Sequence, residues 1–424
     1  MEPEIKMLTD LKEAAKEFYD YKCRYVAEKL GVPLNHPDIE LLIRTPLGKS
    51  PASLELMEQL PHIVKSDAHI VIQGETGTGK GGMAFLIHAA SGRNGRFERL
   101  NLAGYPHNLA WSHVIGHTAD AFTGPKVGKL GSYCFAHQGT LFIDEFDQIE
   151  PLVQSMFLDI TQRTAKRLRR VGSTLELHDE IKTGFLKKDL ALKRTKNKSS
   201  WLLDLIDDIK TDGEPKVRML FGVLTNIKEK VERGEFREDL YHRINILNIH
   251  LPNVEERKLD FKGSVGSALN DLSQHVKIKG FCPEFYKQLY DHKWSGNSRQ
   301  LRNIIQAAIA YANDGIIRYS KWLEPAMQDI HITTKEMPNK ETNSLPSVRS
   351  LPKSRTRSMI AAVLNEVHPP GNYHSTSKVL EEQRLLKVSG TAIKNMICNG
   401  EIQIVDGKYI SSINDVPANV TNDT

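Results

Sequence analysis

Cysteine is scarce. The 424 residues hold four, Cys23, Cys134, Cys282 and Cys398, with neither a pairing pattern nor the C-x-x-C spacing of a metal or redox centre. A fold stapled by disulfides is excluded, and inert thiols in a reducing cytoplasm are expected. Long apolar runs are missing too, and Met1-Glu2-Pro3-Glu4 does not open a signal peptide, so no membrane partner is expected. Charge of one sign is not in large excess: the net charge is +5, with basic residues gathered at 163–170, 187–198 and 349–357. There is no internal repeat at a solenoid period. What is present is 40% hydrophobic residues, enough for a real core, in a length that predicts two or three domains.

The chain is organised around Gly74-Glu75-Thr76-Gly77-Thr78-Gly79-Lys80. The run Ala68–Ile72 before it reads as a buried strand, and Met83–Ala90 after it as a helix. Strand, glycine-rich turn and helix form the setting of a phosphate-binding loop. Glycines let the backbone turn several N–H groups inward, and the helix N-terminus adds positive potential. Lys80 supplies a point charge for the outer phosphates of such a ligand. Position 81 is Gly rather than Ser or Thr. A Mg²⁺ ligand must therefore come from elsewhere, with Thr78 and Asp144 as the candidates.

Further along, Gly139–Glu145 reads as an apolar strand ending in two carboxylates. Asp144 can hold Mg²⁺, and Glu145 can orient or deprotonate an attacking water. Between the two motifs lies a long glycine-rich stretch, 116–131, with Phe122 at its centre. Connections of that length are commonly functional or disordered. The basic run at 163–170 reads as a solvated face. Residues 176–216 look inserted, and their apolar-acidic part, Trp201–Ile209, reads as a short helix for packing or for a partner. Val217–Leu224 and Ile246–Leu251 are further strands. Phe236–Arg243 is a helical turn whose arginines, Arg237 and Arg243, serve either surface salt bridges or a neighbouring subunit's phosphates.

The remaining segments set the domain plan. Residues 1–46 read as an appended helix or helical hairpin. The α/β part spans 47–252. Residues 253–330 are helical, including a turn at Trp294–Asn303 capped by Asn297 or Ser298. A polar, proline-dotted linker covers 331–355. In 356–424, three helical stretches precede two short strands around Asp406-Gly407, the outline of a winged helix-turn-helix. Ser389, Thr391, Lys394 and Asn395 would then face DNA; the alternative is a protein-binding helical module.

Taken in order, these motifs resemble the AAA+ domain of bacterial sigma-54-dependent transcription activators, from about Leu47 to Asp314. GETGTGK followed by Gly81 is similar to that family's Walker A motif, and GTLFIDEF to its Walker B. Asn101 falls at the switch asparagine, GEFREDLYHRINILNIHLP at the arginine-finger segment, and WSGNSRQLRN at sensor II, with Arg299 on the nucleotide. Asp120–Pro125 resembles the loop that contacts sigma-54, matched at Ala121, Phe122, Thr123 and Gly124.

The resemblance implies a parallel sheet sandwiched by helices with a helical lid, ATP hydrolysis with Mg²⁺, and a ring, hexameric by analogy. In that ring Arg237 and Arg243 reach the neighbour's nucleotide, and sigma-54 RNA polymerase is the client. The chain departs from the pattern at Gly131-Ser132-Tyr133-Cys134, where the family has Gly-Arg-Phe-Glu. It departs again at sensor I: Ala-Thr-Asn falls on Gly222-Val223-Leu224, and a two-residue shift carries the asparagine to Asn226. Two rival readings keep the same motifs, a remodelling ATPase with another client and a nucleotide-gated DNA-binding scaffold.

Overall fold

The computed structural model describes residues 2–119, 121, 127–161, 168–190, 200–224, 227–312, 314–327, 402–405 and 408–411. Residues 1–330 and 331–424 form two separate units.

The first unit opens with helix α1 (Pro3–Leu30) and a short α2 (Ile39–Leu42), then α3 (Pro51–Val64), whose N-cap Ser50 accepts from the Ser53 N–H. Strand β1 (Ile70–Gln73) leads through the glycine loop into α4 (Lys80–Ala90), followed by β2 (Phe97–Asn101) and α5 (His107–Val114). Two short strands, β3 (Gly116–His117) and β4 (Lys129–Leu130), pair antiparallel at the base of the glycine-rich stretch. Next come α6 (Ser132–Phe135), β5 (Thr140–Asp144), α7 (Pro151–Thr161), α8 (Leu177–Thr183), α9 (Phe185–Asp189) and α10 (Ser200–Asp212). The α/β part closes with β6 (Arg218–Val223), α11 (Ile227–Glu232), α12 (Glu238–Ile244) and β7 (Leu247–His250). The lid holds α13 (Phe261–Leu272), β8 (Gly280–Phe281), α14 (Pro283–Asp291), α15 (Asn297–Ala310), β9 (Ile316–Ile317) and α16 (Glu324–Met327).

The main sheet is parallel throughout, in the order β2-β5-β6-β1-β7. Side chains alternate between its faces, as the period of a strand demands. Leu141, Ile143, Met219 and Phe221 face the cluster formed with α5, α7 and α12. Phe142, Leu220, Ile70 and Ile72 face the cluster formed with α3 and α4. Being covered on both sides explains why these strands read as continuous apolar runs. The lid has its own core, centred on Phe261, Val265, Phe285, Leu301, Ile304 and Ile305.

Three readings of the sequence gain detail from the packing. Residues 1–46 are not merely appended: Leu8 and Leu11 of α1 are buried in the lid core, and Cys23, Val26 and Leu30 in the α/β core. The stretch 176–216, read as inserted, packs on the rest of the α/β part, because Leu177, Ile181, Leu186, Ile206 and Ile209 all join the main core. That decides for packing in the Trp201–Ile209 helix. Of the basic run at 163–170, only residues 168–170 are described, and one of them is not on a solvated face. Arg170 is fully buried: its Nε donates to Glu180 Oε2 at 2.6 Å, and its Nη1 lies 2.8 Å from Asp189 Oδ2. A buried guanidinium needs such partners, since an uncompensated charge there is very costly.

In the second unit, β10 (Ile402–Val405) and β11 (Lys408–Ser411) pair antiparallel, as the sequence predicts for the strands around Asp406-Gly407. The expected linker, the three helices, and Ser389, Thr391, Lys394 and Asn395 lie outside the described residues.

Candidate nucleotide site

The site forms where the carboxyl ends of β1, β5 and β6 meet, the usual position for a ligand on a parallel sheet. The loop after β1 reaches its shape through left-handed backbone at Gly77 (φ 79°) and Gly79 (φ 103°), which favours glycine. At Gly77 there is a second constraint, because a Cβ would stand 2.2 Å from the Gly296 carbonyl of the lid. A cleft of about 180 Å³ is lined by the loop residues Thr76, Gly77, Gly79, Lys80, Gly81 and Gly82, by Asp144 and Glu145, and by Arg99, Leu224 and Arg299. Three cations and two carboxylates thus share one small volume. That donor set fits a polyphosphate accompanied by a divalent cation.

Lys80 is 7% exposed and its Nζ donates to the Gly74 and Glu75 carbonyls at 2.8 and 3.2 Å. Burial pulls its pKa below the usual lysine range, against the opposing pull of Asp144, Asp147 and Glu145. Asp144 Oδ2 accepts from Arg99 Nη2 at 2.6 Å. Glu145 adopts a left-handed conformation (φ 53°), and its Oε2 accepts from Asn101 Nδ2 at 3.0 Å. The asparagine and the carboxylate meet because β2 pairs with β5 in the register Asn101↔Asp144.

Other candidate residues fall elsewhere. Thr78 does not line the cleft: its hydroxyl turns back to donate to the Glu75 carbonyl at 2.8 Å and is 2% exposed. This hydroxyl is thus turned under the loop and away from the cleft, in contrast to its expected role as a Mg²⁺ ligand. The Glu75 carboxylate is turned to the lid, accepting from Asn253 Nδ2 at 3.0 Å and Asn297 Nδ2 at 2.9 Å. Neither Asn297 nor Ser298 caps α15. Asn297 is its first helical residue, with φ 52°, and the N-cap Gly296 has no side chain to offer.

Arg237 and Arg243 are absent from the lining of this chain's own cleft. Arg237 precedes α12 and forms a two-pronged pair with Asp239, at 2.9 and 2.7 Å. Arg243 Nη1 donates to the Leu158 carbonyl at 2.7 Å. Of the partner loop, Ala121 is described, whereas Phe122, Thr123 and Gly124 lie outside the described residues, as does Asn226. Where the resembled family carries its Arg and Glu, Ser132 is half-buried and Cys134 is buried in the core.

Sequence reasoning missed four participants. Arg99 sits two residues from Asn101 on one face of β2, so strand periodicity held a usable signal. Asn253 and Asn297 reach Glu75 from far along the chain, with no local signal. Asp147 is buried, its Oδ1 accepting from the Leu224 N–H at 3.1 Å and its Oδ2 3.3 Å from Lys230 Nζ, which ties the turn after β5 to the end of β6.

Glycine loop, paired carboxylates, parallel sheet and helical lid define an AAA+ ATPase. Residues 47–190 and 209–250 match the Sigma-54 interaction domain, and residues 257–339 match the AAA+ ATPase lid domain. Residues 47–250 thus carry a sigma-54 interaction domain, followed by an AAA+ lid; the stretch between its two matched parts, 191–208, is narrower than the 176–216 insertion read from the sequence. Among curated relatives, it is 30% identical over 266 residues to the transcriptional regulatory protein ZraR of Salmonella typhimurium, covering 62% of this chain and 52% of that protein. To the Nif-specific regulatory protein of Azospirillum brasilense it is 34% identical over 274 residues, covering 63% of this chain and 37% of the relative. The chain thus spans about half the length of such relatives or less. Crystallised NtrX from Brucella abortus, in complex with ADP, shares the fold at 21% identity and a TM-score of 0.50, with 80% of this chain and 68% of that one covered. Among the described residues no helix is long and apolar enough to cross a membrane.

Proposed function

We propose that this ATPase is a cytoplasmic transcription activator that remodels the sigma-54 RNA polymerase closed complex into the open complex. The observation that carries the reading is a separation within one chain. Lys80, Asp144, Glu145 and Arg299 share a cleft, while Arg237 and Arg243 do not line it and bond Asp239 and the Leu158 carbonyl instead. A site divided in this way is completed by a neighbouring subunit, and a closed ring, hexameric by analogy, supplies one at every interface.

In this reading the loop amides and Lys80 hold the ATP phosphates, with Arg299 closing from the lid. Among the described residues no cluster of three metal-ligating side chains exists. A Mg²⁺ would accordingly be held by Asp144, phosphate oxygens and water. Glu145 orients the attacking water, and Asn101 restrains it until the nucleotide is in place. Arg237 and Arg243 neutralise charge in trans. Catalysis is then positioning and charge stabilisation.

The output is the loop with Ala121, Phe122, Thr123 and Gly124, an apolar anchor for sigma-54. Its stem is well supported. The Ala119 N–H donates to Asp189 Oδ1 at 2.9 Å, and the Gly128 N–H donates to the Asp189 carbonyl at 3.0 Å. The C-terminal unit, with its β10–β11 hairpin, would bind DNA through Ser389, Thr391, Lys394 and Asn395. The test is capture of sigma-54 by the full chain with ADP and a metal fluoride. Wild type is expected to retain sigma-54 and Thr123→Ala to lose it.

One observation favours a second reading, a remodelling ATPase with a different client. Ser132 and the buried Cys134 leave no charged pair where the resembled family couples nucleotide state to the loop. Wild type that fails to capture sigma-54 while hydrolysing ATP would decide for it.

A further inference from the structure

Helix α1 precedes the family match and joins the two parts of the ATPase. Its first half is buried in the lid core and its second half in the α/β core. Against lid helix α13 the approach is backbone-close: a Cβ on Gly266 would stand 2.1 Å from the Leu11 carbonyl. Beyond that contact lies Lys22, 7% exposed, with its ammonium 4.1 Å from the centre of the Phe18 ring. Lys22 Nζ donates to the Ile43 and Thr45 carbonyls, each at 3.0 Å. Those carbonyls belong to a segment that rests on the phosphate loop, Pro46 against Gly79 and Thr45 against Gly82. The same segment continues to the Lys49 N–H, which donates to lid residue Asp260 at 2.6 Å. A cavity of about 470 Å³ opens beside it, lined by Phe18, Thr45, Ser298 and Arg302 among others.

We propose that Lys22 is a positioning residue for the ATPase: by holding Ile43–Pro46 against the phosphate loop, it makes α1 a strut between lid and α/β part that sets how long nucleotide stays bound. The chemistry of the site agrees. Burial, then the nearby Arg257, brings Lys22 down to about 7. Two of its N–H groups are taken up by the two carbonyls, which lessens the cost of holding the amine away from water. A lysine that served only to fill space could be replaced by methionine without consequence. The inference rests on nucleotide binding alone and is independent of the client.

Two measurements on the full chain test it. In stopped-flow release of a fluorescent ATP analogue, Lys22→Met keeps the apolar stem and removes the donors. The expected result is a roughly tenfold faster release, with KM raised more than kcat is lowered. A folded variant with a lower melting temperature and an unchanged release rate would overturn the proposal. Hydrogen–deuterium exchange of the wild type, with and without ATP, covers the case in which the variant does not fold. Protection is expected to run from residues 74–82 through 43–48 into α1 around Lys22. Protection that stops at Thr45 would equally overturn the strut.

Discussion

Asn297, at the first turn of lid helix α15, donates from Nδ2 to Glu75 Oε2 at 2.9 Å and to the Thr76 carbonyl at 3.1 Å. Its Oδ1 accepts from the Val254 N–H at 2.9 Å, and the residue is fully buried. One amide therefore joins the phosphate loop, the lid helix and the connection into the lid. Its left-handed backbone fits asparagine better than most residues. The Asn297–Glu75 pair thus ties the lid to the glycine loop.

Replacing Asn297 by Asp keeps the shape and sets a second carboxylate against Glu75. The buried donor is lost as well, a change worth about 1–3 kcal/mol. We expect a lower melting temperature and at least roughly tenfold weaker ATP binding, read by calorimetry and by titration with a fluorescent analogue. Glu75→Gln on the same background should restore part of the affinity, because the repulsion is removed.

Glu145→Gln removes the carboxylate proposed to act on the attacking water and keeps the hydrogen-bonding shape beside Asn101. Turnover should fall roughly 10²- to 10⁴-fold while nucleotide binding persists. Phosphate-release assays together with equilibrium binding check both halves of that statement. Hydrolysis that survives the substitution would remove Glu145 from its role.

The arginines can be tested for action in trans by mixing. Arg237→Ala and Lys80→Ala should each be nearly inactive alone, the arginine loss costing roughly 10³- to 10⁵-fold in kcat by analogy with other arginine fingers. Mixed rings contain interfaces with an intact loop from one subunit and an intact arginine from the other. Steady-state ATPase should therefore recover in the mixture; additivity of two inactive proteins would exclude a shared site. The exposed Arg237–Asp239 pair adds little to folding, so the melting temperature should hardly change.

Arg170→Met would leave Glu180 and Asp189 buried without their cation. Breaking such a pair costs about 3–5 kcal/mol, which chemical denaturation should register. Arg170 Nη1 also donates to the His117 carbonyl at 2.7 Å, and Asp189 holds both limbs of the partner-loop stem. Amide exchange in 116–119 and 128–131 should accelerate accordingly.

Acid sensitivity has an identifiable contributor. Burial, aided by Arg93 and Arg218, holds His88 down to about 4, and its Nδ1 lies 2.9 Å from Thr140 Oγ1. Between about 4 and the unperturbed value near 6.5 the unfolded chain binds the proton and the folded one does not. Stability from this residue is thus present above about 6.5 and lost as pH falls through about 4. His113, His117 and His137 are lowered in the same direction, burial first. The melting temperature should fall from pH 7 to pH 4, with a shallower slope in His88→Asn.

The sequence by itself determined the phosphate loop, the carboxylate-ended strand and the order of strands and helices. These depend on near neighbours: glycine spacing, strand-length apolar runs and the step from period two to period 3.6. Even the Asn101–Glu145 contact was accessible once the motifs were placed in order. Only the tertiary structure decided what remote residues do. Thr78 turned under the loop instead of into the cleft, Arg170 went inside with two carboxylates, and Asn297 left its expected capping role to reach Glu75. The same holds for α1, read as an appendage from its periodicity, which became a brace across lid and sheet. Amphipathic pattern fixes which face a helix buries; the partner it buries that face against depends on residues hundreds of positions away, and no local spacing encodes it.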